Sequence, residues 1–162
     1  MTGSGIVSGA GSFGLVVVVR ARPGADLLEA VEAGFAAHGI TQGVVVGGVA
    51  SLHHATFRNI RHLPTGRAIA EGDRVVSRVT GPLELVSLQG NLVTDAAGTR
   101  HLHVHAVVSQ GDPATQVRGG HLVAGSPVAT TAELVLAAIE GVRLDREVDP
   151  STFASEVVVH PE

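Results

Sequence analysis

Arg100-His101-Leu102-His103-Val104-His105-Ala106-Val107-Val108-Ser109 is followed by Gln110-Gly111-Asp112-Pro113 and by an extended-looking run from Thr115 to Val123 that contains Gly119-Gly120-His121. A β-strand sends alternate side chains to opposite faces, so a strand here puts His101, His103 and His105 on one face. Gln110 to Pro113 has turn composition, which predicts an antiparallel hairpin. Centred near Asp112, that hairpin pairs residues whose numbers sum to 224 and sets His103 opposite His121. His101 and His105 then become the diagonal neighbours of His121, at about 7–8 Å, and Gly119 leaves space opposite His105. A slip of one residue would send His121 to the other face. A loop of four or more residues does not fix register as a two-residue turn does.

Working outward, Phe13 to Arg20 is β-branched and reads as a buried strand broken by Pro23-Gly24. Asp26 is placed to cap a helix, with Glu29 at capping-box spacing, Leu28, Val31 and Phe35 on its apolar face and Gly39 at its left-handed end. Further strands are expected at Val44–Leu52, Ala55–Ile60, Arg74–Thr80 and Leu83–Val93, the last two separated by Gly81-Pro82. A second principal helix is expected from Thr130, with Glu133 at capping-box spacing, through Leu134-Val135-Leu136-Ala137-Ala138-Ile139 to Gly141. Many strands and two principal helices predict a single compact α+β domain with a mainly antiparallel sheet. Residues 1–12, rich in Gly, Ser and Ala, read as a flexible tail, residues 13–148 as the domain and residues 149–162 as a C-terminal extension able to add a strand.

The composition excludes several classes. The 162 residues contain no Cys, Trp or Tyr and four Phe, so thiolate metal sites are absent and aliphatic side chains must fill the core. The net charge is −4 and the basic residues, all Arg, are scattered, which argues against direct nucleic-acid binding through a basic footprint. Met1-Thr2-Gly3-Ser4-Gly5 lacks a signal-peptide pattern and no apolar run is long enough to span a bilayer, so a soluble, cytoplasmic protein is the expectation.

The order of short motifs carries further information. Gly39-Ile40-x-x-Gly43, Val49-Ala50-Ser51-Leu52, Ala55-x-Phe57-Arg58-Asn59, Leu83 to Leu88 with Gly90-Asn91, His101-Leu102-His103, Gly119-Gly120-His121-Leu122 and Val128-x-x-Thr131-x-Glu133 together resemble the PPC (plants and prokaryotes conserved) domain, in its stand-alone prokaryotic form. The resemblance runs from about Phe13 to about Val148. It implies an α/β fold with an antiparallel sheet, a homotrimer, and a metal site near a subunit interface whose positions fall on His101, His103 and His121. His105 departs from the family pattern. The chain has no Arg-Gly-Arg-Pro-like AT-hook of the kind that accompanies the domain in plants, which puts DNA binding in doubt.

On these grounds His101, His103 and His121 are candidate ligands for a divalent first-row metal, Zn²⁺ first, with Mn²⁺ or Fe²⁺ as alternatives. His105 is a fourth ligand, a general acid or base, or a structural residue. Arg58, with Asn59 beside it, is suited to hold an anionic substrate, the plain alternative being an ion pair with Glu84. Glu84 could act as a general base, support a metal ligand, or partner Arg58. Gly47-Gly48 and Gly119-Gly120 lack phosphate-loop context and read as backbone packing or site clearance. The leading expectation is a metal-dependent lyase, hydratase or isomerase acting on a small anionic metabolite. The alternative is a non-catalytic trimeric binding or regulatory module, one that could associate with DNA through partners.

Overall fold

The computed structural model describes residues 6–111 and 114–160. Asp112 and Pro113, where the turn is expected, the first five residues, and Pro161-Glu162 lie outside that description. Among the described residues are eight strands and one α-helix: β1 (Ser12–Ala21), α1 (Leu27–Ala37), β2 (Gln42–Ile60), β3 (Arg74–Thr94), β4 (Arg100–Gln110), β5 (Gln116–His121), β6 (Val128–Glu140), β7 (Arg143–Val148) and β8 (Ser155–His160). The first six form an antiparallel sheet in the order β1-β6-β2-β3-β4-β5, and β7 and β8 form a separate hairpin.

The helix follows its local signals. The Asp26 carboxylate accepts the Leu28 and Glu29 N–H groups, at 2.9 and 3.1 Å, and Gly39 ends the turn at φ 64°. Its other oxygen accepts the Gly125 and Ser126 N–H groups, at 2.8 and 2.7 Å, and so ties the helix to the connection before β6. Leu27, Val31 and Phe35 are fully buried, and Gly34 lets α1 close onto Val19 and Leu136, where a Cβ would lie 2.5 and 2.8 Å from their methyl groups. Phe35 and Phe57 are the only aromatic residues in a core otherwise built from Leu, Val, Ile and Ala.

The second helix is not formed. Val128–Glu140 is instead a strand hydrogen-bonded on both edges, to β1 and to β2. Buried Val128, Ala132, Leu134 and Leu136 show the period of two. Short apolar runs do not separate buried strand from buried helix, and Thr130, Thr131, Val135 and Ile139 are β-branched. Thr130, expected as a cap, bonds the Ser51 hydroxyl across to β2. The two pairs of strands expected at 44–60 and 74–93 are each one continuous strand, so Gly81-Pro82 lies inside β3 and does not end it. The sheet also curls back on itself: Phe57 on β2 bridges Leu122, just beyond β5.

Candidate functional site

The histidine hairpin forms, with its register shifted by two residues from the expected one. His105 pairs with His121, Ala106 with Gly120 and Val107 with Gly119. The shift of two keeps His121 on the expected face, because strand faces alternate with period two. The open loop supplied no constraint against it. Val104, Ala106 and Val108 fill the core, leaving the histidines on the opposite face.

His103, His105 and His121 converge as a result. One ring nitrogen from each lies within 4.8 Å of the others, the His103 and His105 Nε2 atoms are 3.2 Å apart, and the ring centroids are separated by 5.0–5.4 Å. Two nitrogens bound to one tetrahedral Zn²⁺ at 2.0–2.1 Å are about 3.3 Å apart. The donor set therefore fits such an ion. His101, expected as a third ligand, stands four residues along the strand from His105, roughly 13 Å at strand rise. Its Nε2 instead meets Asp95 at 2.8 Å, and His105 occupies the place expected for it.

The loop after β5 is built to hold His121. Asn59 donates from Nδ2 to the Gly119 carbonyl and accepts the His121 N–H at Oδ1, each at 3.1 Å. Asn59 is thus engaged by the backbone that carries His121. Gly120 has φ 149°, and a Cβ there would lie 1.8 Å from the Asn59 Oδ1. The Gly-Gly pair marks close backbone approach.

Two adjoining clefts, about 480 and 620 Å³, open on the imidazoles, and Arg58, Arg74, Arg100 and Arg146 line them. No carboxylate lines either cleft among the described residues. Arg58 pairs with Glu71 at 3.6 Å, and so does Arg74 at 2.8 Å. The expected Arg58–Glu84 pair is not made. Glu84 is exposed on β3 opposite Ser109, four residues along β4 from His105 and so roughly 13 Å from it. Desolvation first, then the charges of His103, His105, Arg58 and Arg74, push the His121 pKa down to about 4. His103 is lowered by desolvation and by His105 and Arg146. Both rings are thereby kept in the neutral form that a metal requires.

Sequence reading missed Arg74, Arg100 and Arg146. Each is brought to the site by a different strand, and nothing in their spacing signals it. Asp145, Glu147 and His160 also converge on the C-terminal hairpin, where Asp145 already accepts the Arg146 N–H at 2.8 Å and faces Arg143 at 3.6 Å.

Fold and site together define a small antiparallel α+β domain presenting an imidazole cluster beside arginines. The chain belongs to the Plants and Prokaryotes Conserved (PCC) domain family, whose model matches residues 8–140. Among curated relatives it is similar to the bifunctional protein GlmU of a Synechococcus strain, 34% identical over 143 residues, or 88% of this chain. It spans about a fifth of the length of the curated relatives it matches. Solved structures share the fold. A metal-containing protein from Archaeoglobus fulgidus superposes with a TM-score of 0.74 at 20% identity, covering 94% of this chain and 99% of that one. A plant- and prokaryote-conserved protein from Pyrococcus horikoshii gives 0.73 at 24%, with 93% and 96% covered. A protein provisionally named as DNA-binding, from Bacteroides thetaiotaomicron, gives 0.71 at 17%, with 91% and 96% covered. Among the described residues no helix is long and apolar enough to cross a membrane.

Proposed function

We propose that this chain is a metal-dependent binding module, assembled as a homotrimer, that holds a divalent metal on His103, His105 and His121 and takes up a small anionic ligand there. The observation that carries the reading is the convergence of three imidazoles beside guanidiniums in clefts that no carboxylate lines among the described residues. Three imidazoles leave coordination positions free for water or a ligand oxygen, and zinc suits the donor set, with manganese or iron as alternatives. Arg58 supplies a planar fork for a carboxylate or phosphate. Self-association draws support from the exposed apolar residues Val18, Val46 and Val49, which line one shallow surface with Val135.

Binding is favoured over lyase, hydratase or isomerase chemistry because the acid–base candidate Glu84 stands away from the imidazoles. His105 is among the clustered imidazoles and serves as a ligand in this reading. Nuclear magnetic resonance of small carboxylates mixed with zinc-loaded protein separates the two. The binding module predicts broadened or shifted ligand signals and no new ones. Product signals that vanish in His121→Ala would establish an enzyme instead.

A second reading, association with DNA, is favoured by the provisional name of the Bacteroides protein. The net charge of −4 and the lack of an AT-hook route that association through a partner. Direct, salt-sensitive retention of the purified protein on AT-rich duplex would count against the partner route.

A further inference from the structure

The C-terminal hairpin lies outside the residues that match the family, yet it forms one wall of the candidate site. Arg146 on β7 and Phe153, Ala154 and Ser155 at the turn into β8 line the cleft together with His101, His103 and His121. The turn is held in place: Asp149 accepts the Phe153 N–H at 2.7 Å through its carbonyl and donates its own N–H to the Ala154 carbonyl at 2.9 Å. Phe153 itself is held at φ 58°, a left-handed conformation that a bulky residue rarely adopts.

The charges in this cleft are unevenly satisfied. Arg58 and Arg74 share Glu71, and Arg100 pairs with Glu32 and also donates to the Ile40 carbonyl. Arg146 hydrogen-bonds only neutral acceptors, the Ser155 carbonyl at 2.9 Å and the Asn91 Oδ1 at 3.1 Å, and feels the Glu156 carboxylate through space without a hydrogen bond between them. Four guanidiniums therefore face two paired carboxylates in a chain whose net charge is negative. Two of their nitrogens, Nη2 of Arg100 and Nε of Arg146, are buried and have no hydrogen-bond partner. Buried donors are nearly always satisfied, so these two leave their guanidiniums under-bonded, and it is the remaining, partly exposed part of each side chain that lines the cleft where an anion can meet it.

We infer that the cleft is two-headed: Arg100 and Arg146 hold a second anionic group, so the ligand is a small organic dianion such as a dicarboxylate. This rests on the metal-and-anion reading above and adds a class of ligand to it. One carboxylate sits at the imidazoles and Arg58. The other reaches the hairpin wall, which makes Arg146 a specificity-determining residue contributed by the segment beyond the family match.

The test is isothermal titration of acetate, malonate, succinate and glutarate into zinc-loaded protein, with zinc content measured on the same samples. Wild type is expected to bind one of the dicarboxylates about tenfold or more tightly than acetate. Arg146→Gln is expected to lose that preference, its dicarboxylate affinity falling about tenfold toward the acetate affinity measured on the same variant. Arg146→Lys, which keeps the charge without the fork, is expected to retain part of it. It gives the same reading should Arg146→Gln fail to fold. A wild type with no preference for any dicarboxylate overturns the inference, and so do Arg146 variants that keep the preference whole. If wild type holds no zinc, the metal reading fails by itself. The dianion inference then stands or falls on the same preference measured with metal-free protein.

Discussion

Acid should weaken the metal-free protein through His121 before it acts on any carboxylate. The ring titrates near 6.5 when unfolded, and in the fold its pKa is pushed down to about 4. A histidine with a depressed pKa binds fewer protons folded than unfolded. Its contribution is therefore complete above about 6.5 and is lost as pH falls from 6.5 toward 4. Between pH 7.5 and pH 5.0 such a shift amounts to about 2 kcal/mol at most. Solvent reaching the partly buried ring reduces this to about 1 kcal/mol. Asp95 and Asp149 are also lowered, by hydrogen bonds to His101 and Ser151 respectively, but their losses begin near the ordinary carboxylate range and are shared by the control variant. The assay is urea unfolding followed by far-ultraviolet circular dichroism on chelator-treated protein at both pH values, at one protein concentration. Wild type should lose about 1 kcal/mol more than His121→Gln over this interval. Equal losses in the two proteins would refute the assignment of the effect to this ring.

Three further outcomes follow from the same contacts. Asp26→Ala removes a helix cap and strands the Gly125 and Ser126 N–H groups, a cost of about 2–4 kcal/mol and a fall in melting temperature of roughly 5–15 °C by calorimetry. Asp26→Asn should recover only part of it, because its amide N–H₂ would confront the two N–H donors. Gly120→Ala places a methyl on the Asn59 carboxamide, and should weaken zinc binding in a competition titration with little loss of secondary structure by circular dichroism. Glu84→Gln should leave zinc affinity unchanged in the same titration, since Glu84 lies roughly 13 Å along the sheet from the imidazoles.

Much of the fold is legible in the sequence because its signals are local. Asp26 and Gly39 bracket the helix as their capping chemistry requires, and the β-branched run at Phe13–Arg20 is a strand, but an edge strand with Phe13, Leu15, Val16 and Val18 exposed and not the buried strand expected. The expected helix from Thr130 to Gly141 is instead the strand Val128–Glu140, because Thr130, Glu133 and Gly141 carry helix-end spacing around a run too short and apolar to declare its period. Pairing on both edges decides its structure, and that pairing is set by residues far away in sequence, on β2 and on β1. The histidine face was legible from alternation, while its register was not, which is why His101 and His105 exchange places. The arginines were illegible for the same non-local reason. Arg58, Arg74, Arg100 and Arg146 come from four strands, and only the curled sheet and the added hairpin bring them together.

Metal content by inductively coupled plasma mass spectrometry, on untagged protein incubated with zinc and then desalted, tests the central claim most directly. Wild type and His101→Ala should each hold about one zinc per chain, and His103→Ala, His105→Ala and His121→Ala should hold almost none while remaining folded. Zinc lost in His101→Ala but kept in His105→Ala would contradict the site assigned to this fold, and a wild type that holds no metal would contradict the function proposed for it.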